Sequence, residues 1–285
     1  MDVILEMNNV TKNYGNNTVL KEASFFACSG DIVGLIGENG SGKTTLLNSI
    51  AGIISYTGAI KVCGEQLNDK NDYYGNLGIA FDSLAFYSHL SAADNLKVLS
   101  YDNAQIEEVL KTCGLSESKN KKVSAFSLGM RQRLNIARSI IGSPRLVIMD
   151  EPINGLDPKA ILEFKQYMTS YVAENNAALL ISSHALKELA YFCNKYIFLK
   201  KGRIIEILSD YDNRVEEFNA YICFNDESER KRIIDQFEQH AQEYLIVDSL
   251  SRIYFKTNDP IQIAGQETVL LMQNQSPLEN IFVSL

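Results

Sequence analysis

An apolar run that ends in a glycine-rich loop leaves few folds open to this chain. Residues 31–36 read Asp-Ile-Val-Gly-Leu-Ile, a short segment of the kind found in buried strands. The loop after it is Gly37-Glu38-Asn39-Gly40-Ser41-Gly42-Lys43-Thr44, which fits the spacing G-x-x-x-x-G-K-[ST]. Residues 44–51 then read as a helix. A strand, a glycine-rich turn and a helix in that order set backbone amides at a helix N-terminus, where the dipole favours anions. The glycines let the backbone turn tightly and approach phosphate oxygens. Lys43 would bridge the outer phosphates of a nucleoside triphosphate, Thr44 would ligate magnesium, and Thr45 would lie near the α-phosphate.

A second apolar run, residues 146–149, ends in Asp150 and Glu151. Open α/β sheets place ligands at the carboxyl ends of their strands. Asp150 would therefore sit beside the glycine-rich loop and hold magnesium, directly or through water. Glu151 would face the γ-phosphate and polarise the attacking water. The long stretch between the two runs contains Phe126-Ser127-Leu128-Gly129-Met130-Arg131-Gln132-Arg133, a small polar turn opening a basic helix. Ser127 and the amide of Gly129 make a second anion site at a helix N-terminus. Within one chain that site would have no phosphate to meet.

Strand and helix patterns alternate to about residue 208. Further strands are expected at 3–7, 25–28, 60–62, 77–81, 178–182, 196–199 and 203–207, and helices at 92–99, 104–113, 127–141, 158–173 and 185–193. This predicts an α/β fold with a mostly parallel sheet and antiparallel pieces near the N-terminus. From residue 209 the style changes. A polar stretch at 210–217, short strands at 221–224, 245–247, 253–256 and 269–272, and an amphipathic helix at 227–239 predict a small α+β domain over 209–285. A length of 285 residues suits two domains.

With 27 Lys+Arg against 35 Asp+Glu, the net charge is −8, which argues against a general nucleic-acid binder. No apolar window is long enough to span a membrane, and Asp2 and Glu6 stand where a signal peptide would carry basic residues. The five cysteines are scattered without a C-x-x-C pair, so buried small hydrophobes in a reducing compartment are expected. His89 and His240 lack any chemical context and read as structural or surface residues.

Over roughly residues 2–208 the ordered motifs resemble the ATP-binding subunit of an ABC transporter. Tyr14 in KNYGNNTVL is similar to the aromatic residue that stacks on adenine. Residues 37–44 resemble the P-loop, 126–133 the ABC signature, and Asp150-Glu151 the second Walker motif. Asn154-Gly155-Leu156-Asp157 resembles the D-loop, and Ser182-Ser183-His184 the switch histidine. The resemblance implies a P-loop ABC ATPase domain over 1–208, with a parallel sheet core, an antiparallel N-terminal sheet and a helical insertion at about 90–142. It implies ATP and Mg2+ as ligands and a cytoplasmic location on the inner face of the membrane. It also implies a head-to-tail homodimer, or paired ATPase subunits, in which Ser127 and Gly129 of one copy close over the γ-phosphate held by the other. His184 would contact that phosphate, and a separate transmembrane permease would turn the motion into transport.

Two departures from the family pattern stand out. Leu128 and Met130 replace the first glycine and the glutamine of the usual signature, while Ser127 and Gly129 are kept. Asp82 stands where the family has the Q-loop glutamine, so it is either a metal-directed residue, directly or through water, or a cap for the following turn. Both departures resemble the bacitracin- and lantibiotic-type peptide exporters, which implies export of a peptide antibiotic. An importer ATPase and a regulatory ABC ATPase with little turnover stay open at this point. The cluster Phe81, Leu84, Phe86 and Tyr87 is expected to be exposed and to face the permease; buried, it would be ordinary core.

Overall fold

A computed structural model describes residues 2–66, 74–81, 86–183, 189, 192–209, 220–239, 244–247, 252–255, 262–263, 266–267 and 269–270. Contacts divide the chain into two compact units, Met1–His184 with Ile197–Ile205, and Ala185–Tyr196 with Glu206–Leu285.

In the first unit, β1 (Val3–Tyr14) and β2 (Asn17–Cys28) form an antiparallel hairpin. Strands β4 (Thr57–Val62) and β5 (Glu65–Gln66) extend it in the order β2-β1-β4-β5. Both hairpin strands are longer than the expected 3–7 and 25–28. The register shifts between Met7 and Val10, where Asn9 takes φ 50°. Such a bulge breaks the period-two alternation by which a strand is read.

The central sheet has the order β10-β9-β3-β8-β7-β6, with β3 (Ile32–Ile36), β6 (Leu77–Ala80), β7 (Leu146–Asp150), β8 (Ala178–Ser183), β9 (Lys195–Lys200) and β10 (Arg203–Ser209). The pairs β3/β8, β8/β7 and β7/β6 are parallel. Every residue of β3 and β8 is buried, as expected of parallel strands covered on both faces. This is why both segments open on apolar runs.

Helix α1 (Lys43–Ile50) follows β3. The insertion carries α2 (Ala92–Lys97), α3 (Asn103–Thr112) and α4 (Leu128–Ile140), and α5 (Pro158–Glu174) follows β7. Side chains cap four of them: Ser91, Asp102, Ser127 and Asp157 each accept an amide from the first turn, satisfying donors that the helix leaves unpaired. Against β6, α4 packs backbone to backbone. A Cβ on Gly78 would fall 1.7 Å from the Ser139 carbonyl oxygen, so only glycine fits there.

In the second unit, β11 (Ala220–Cys223), β12 (Tyr244–Val247), β13 (Arg252–Phe255) and β16 (Val269–Leu270) pair antiparallel in the order β12-β13-β11-β16. Helix α6 (Glu227–Gln239) buries Ile233 and Phe237, and the Phe237 ring lies 4.9 Å from that of Phe255. A two-stranded piece, β14 (Gln262–Ile263) with β15 (Gln266–Glu267), also belongs to this unit. Most of the expected helix at 185–193, the polar stretch at 210–217 and His240 lie outside the described residues.

None of the five cysteines is in a disulfide, but they are not all core residues: Cys28 and Cys193 are buried, Cys63 and Cys113 partly so, and Cys223 is exposed. Cys223 ends β11, a strand whose other three residues are buried. Phe81 corrects a second expectation. It directly follows β6, where Ala80 is already buried, and its ring is only 3% exposed. It is core and no part of an exposed patch. Phe86 is half-buried beneath the Arg138 guanidinium, 4.6 Å away, and Tyr87 stands exposed. Leu84 lies outside the described residues.

Candidate functional site

The carboxyl ends of β3, β7 and β8 bring the glycine-rich loop and the two acids together. Gly40 (φ 80°) and Gly42 (φ 109°) both take left-handed backbone conformations, with Gly42 as N-cap of α1. Gly37 is required for a different reason. A Cβ there would meet Ser41 Oγ at 2.4 Å and the Leu199 carbonyl oxygen at 2.5 Å. The loop is thus held against β9, and the Gly202 amide donates to the Ser41 carbonyl at 2.9 Å. Glu38, Asn39 and Gly40 form its exposed rim, with Thr44 exposed and Thr45 half-buried behind them.

Lys43 is 7% exposed. Its ammonium donates to the Gly37 carbonyl at 2.6 Å and to the Glu38 carbonyl at 3.2 Å. Burial pushes its pKa down, and the Glu151 and Asp150 carboxylates oppose that shift. An ammonium so placed gains from a further anion beside it.

Thr44 Oγ1 donates to Asp150 Oδ2 at 2.9 Å. Two residues far apart in sequence therefore present adjacent hard oxygens, the donor type magnesium prefers. The other Asp150 oxygen accepts from the Ser182 hydroxyl, and the same hydroxyl accepts from the Glu151 amide at 3.0 Å. The Glu151 backbone is left-handed, with φ 49°, an uncommon conformation for a residue with a side chain. One of its carboxylate oxygens accepts from Asn154 Nδ2 at 2.6 Å.

Sequence reasoning placed Ser182 and Asn154 inside motifs but gave neither a task. The one signal that points toward Ser182 is the pair of serines, Ser182 and Ser183, that ends an apolar strand, since buried polar groups need partners.

A nucleotide with magnesium fits these residues. The Ser41 hydroxyl is buried and has no hydrogen-bond partner among the described residues. The loop amides at α1, the Lys43 ammonium and the Thr44–Asp150 oxygen pair offer the donors and ligands that phosphates and a hard cation need.

Tyr14 ends β1 and is 50% exposed, with the Lys12 ammonium 4.8 Å from its ring centroid. Lys12 is itself held by the Ser55 carbonyl at 2.6 Å. One face of the ring is thus backed by a cation, a favourable contact for an aromatic platform.

Ser127 caps α4 by accepting from the Met130 amide at 3.3 Å. It is exposed, and Leu128 beside it is 68% exposed. Leu128 lies over Gly155, where an added Cβ would meet its Cδ2 at 3.0 Å. Gln132 donates to the Pro152 carbonyl at 2.8 Å. The signature turn is thereby fixed to the segment after Glu151 in the same chain. Asp82 and His184 lie outside the described residues. His89 is exposed and meets Tyr87 edge-on.

Comparison with known proteins adds an independent line. Residues 20–154 match the family model described as ABC transporter. The chain is 32% identical to the bacitracin transport ATP-binding protein BcrA of Bacillus licheniformis, covering 100% of this chain and 98% of that protein. It is 36% identical to the lantibiotic transport ATP-binding protein SrtF of Streptococcus pyogenes, over 78% of this chain and 98% of the other. A solved ATP-binding subunit of an ABC transporter superposes with TM-score 0.68 at 28% identity, covering 72% of this chain and 90% of its own.

Proposed function

This chain belongs to the ABC transporter ATP-binding family, and from that premise we propose that it powers export of a peptide antibiotic of the bacitracin or lantibiotic class through a separate membrane permease. It is an ABC ATPase, the ATP-binding subunit of a transporter. The export direction and the cargo class rest on its likeness to BcrA, which runs through the whole chain, and to SrtF.

The observation that carries the hydrolytic mechanism is the network joining Thr44, Asp150, Ser182, Glu151 and Asn154. Residues 37–45 bind the phosphates through amides and Lys43, and Tyr14 carries the adenine. Thr44 and Asp150 would hold magnesium, which would supply charge neutralisation for the phosphates. Glu151 takes a proton from water as the water oxygen bonds to the γ-phosphorus. The bond from that phosphorus to the bridging oxygen breaks, and ADP leaves with the electron pair.

Ser127 and Gly129 contribute to a second copy's nucleotide in a head-to-tail dimer. Support for this is the exposed position of Ser127 at the start of α4. The chain then works at the inner face of the membrane, with residues 209–285 as an accessory domain.

The permease docks near Tyr87, whose backbone is clamped by both ends of the Asn95 amide, at 2.9 and 3.1 Å. Next to Tyr87 in sequence, the Phe86 ring lies under the Arg138 guanidinium, and Tyr74 and Leu99 are exposed. Tyr74, Leu99 and Arg138 line one cleft of about 500 Å3. Large exposed apolar side chains gathered at a cleft suit a protein partner. Among the described residues no helix is long and apolar enough to cross a membrane.

The reading predicts a protective effect. Cells that carry Leu99→Asp in place of the parent should tolerate less bacitracin- or lantibiotic-class peptide, while the purified variant keeps its basal ATPase activity. Unchanged tolerance across a panel of such peptides would contradict it.

A further inference from the structure

We infer that Ser182 is a positioning residue that orders both acids of the site through one hydroxyl, setting Asp150 for magnesium and holding the Glu151 backbone. The inference rests on the proposed magnesium site at Thr44 and Asp150.

Ser182 lies in β8 after Leu179, Leu180 and Ile181, and it is 0% exposed. A hydroxyl there has no water to satisfy it, so its bonds must come from the protein. It has one hydrogen to donate and lone pairs to accept. The Glu151 amide can only donate, and it points at Ser182 Oγ at 3.0 Å. The serine hydrogen therefore goes to its other partner, Asp150 Oδ1.

This assignment has two consequences. The carboxylate of Asp150 cannot swing about its terminal torsion, because one oxygen is held by Ser182 while the other faces Thr44 Oγ1. The left-handed Glu151 residue, which the chain would not adopt unaided, has its amide anchored. The β7/β8 register makes this possible by placing Asp150 directly opposite Ser182. Residues that fix a metal ligand from behind change metal affinity about 10–100-fold when removed.

The test measures nucleotide binding rather than turnover. The full chain is titrated with the non-hydrolysable analogue AMP-PNP, once with Mg2+ and once with EDTA, and the ratio of affinities is the gain due to metal. Ser182→Ala should lose about tenfold or more of that gain and keep the EDTA affinity. Ser182→Cys has nearly the same shape but donates poorly, so it should lose gain in the same direction with its fold secure.

A gain unchanged in both variants would overturn the inference. So would equal losses with and without metal, since Ser182 would then only hold the loop together. Asp150→Asn serves as the reference. If it too keeps the full gain, the magnesium site itself is wrong and the inference falls with it. If it loses the gain while the Ser182 variants keep theirs, the inference alone fails.

Discussion

Glu151→Gln is expected to slow ATP hydrolysis by about 10²–10⁴-fold while ATP binding stays close to that of the parent. The amide matches the carboxylate in shape and still offers an oxygen to Asn154, so the 2.6 Å contact can persist. The backbone anchor from the Glu151 amide to Ser182 is untouched. What disappears is the ability to take a proton from water. With binding intact and turnover blocked, ATP should accumulate in closed dimers, visible as a shift in size-exclusion elution on adding Mg·ATP. Near-normal turnover in the variant would remove Glu151 from the role of general base.

Lys43→Ala is the second large effect, and it falls on binding. The ammonium is almost fully buried against the loop carbonyls and beside two acids. Hydrogen bonds to charged groups contribute roughly 1.5–3 kcal/mol each, so loss of the one strong cation should weaken ATP binding by about 10²-fold. The comparison with Glu151→Gln is informative. Calorimetric titration should find affinity lost in one variant and kept in the other, although both fail to turn over. Unchanged affinity in Lys43→Ala would contradict the assignment of residues 37–44 as the phosphate cradle.

Much of this site is legible in the residues because its parts are local. The glycine-rich loop, the strand before it and the helix after it are contiguous, and α1 begins at Lys43, one residue from the expected start. Asp150 and Glu151 announce themselves by ending an apolar run. The helices expected at 104–113 and 127–141 appear at Asn103–Thr112 and Leu128–Ile140, because their periodic apolar faces are local too.

The remainder depends on register or packing, which no local pattern encodes. Ser182 matters because β7 and β8 pair with Asp150 opposite it. Asn154 matters because the chain turns sharply after Glu151, with the Asn154 amide donating to the Glu151 carbonyl at 3.2 Å. The extent of β1 is hidden by the shift at Asn9, and the burial of Phe81 is set by what packs on the end of β6. A run of exposed-looking aromatics after a strand cannot by itself say which ring turns inward.

We propose that one chain holds half of a working site, with Ser127 and Gly129 completing the phosphate pocket of another copy. The most direct measurement is magnesium-dependent ATPase activity per subunit of the purified full chain across a wide range of protein concentration. Turnover per subunit that climbs with concentration and then levels off is the predicted result. Constant turnover per subunit down to dilutions at which the protein is monomeric would contradict it.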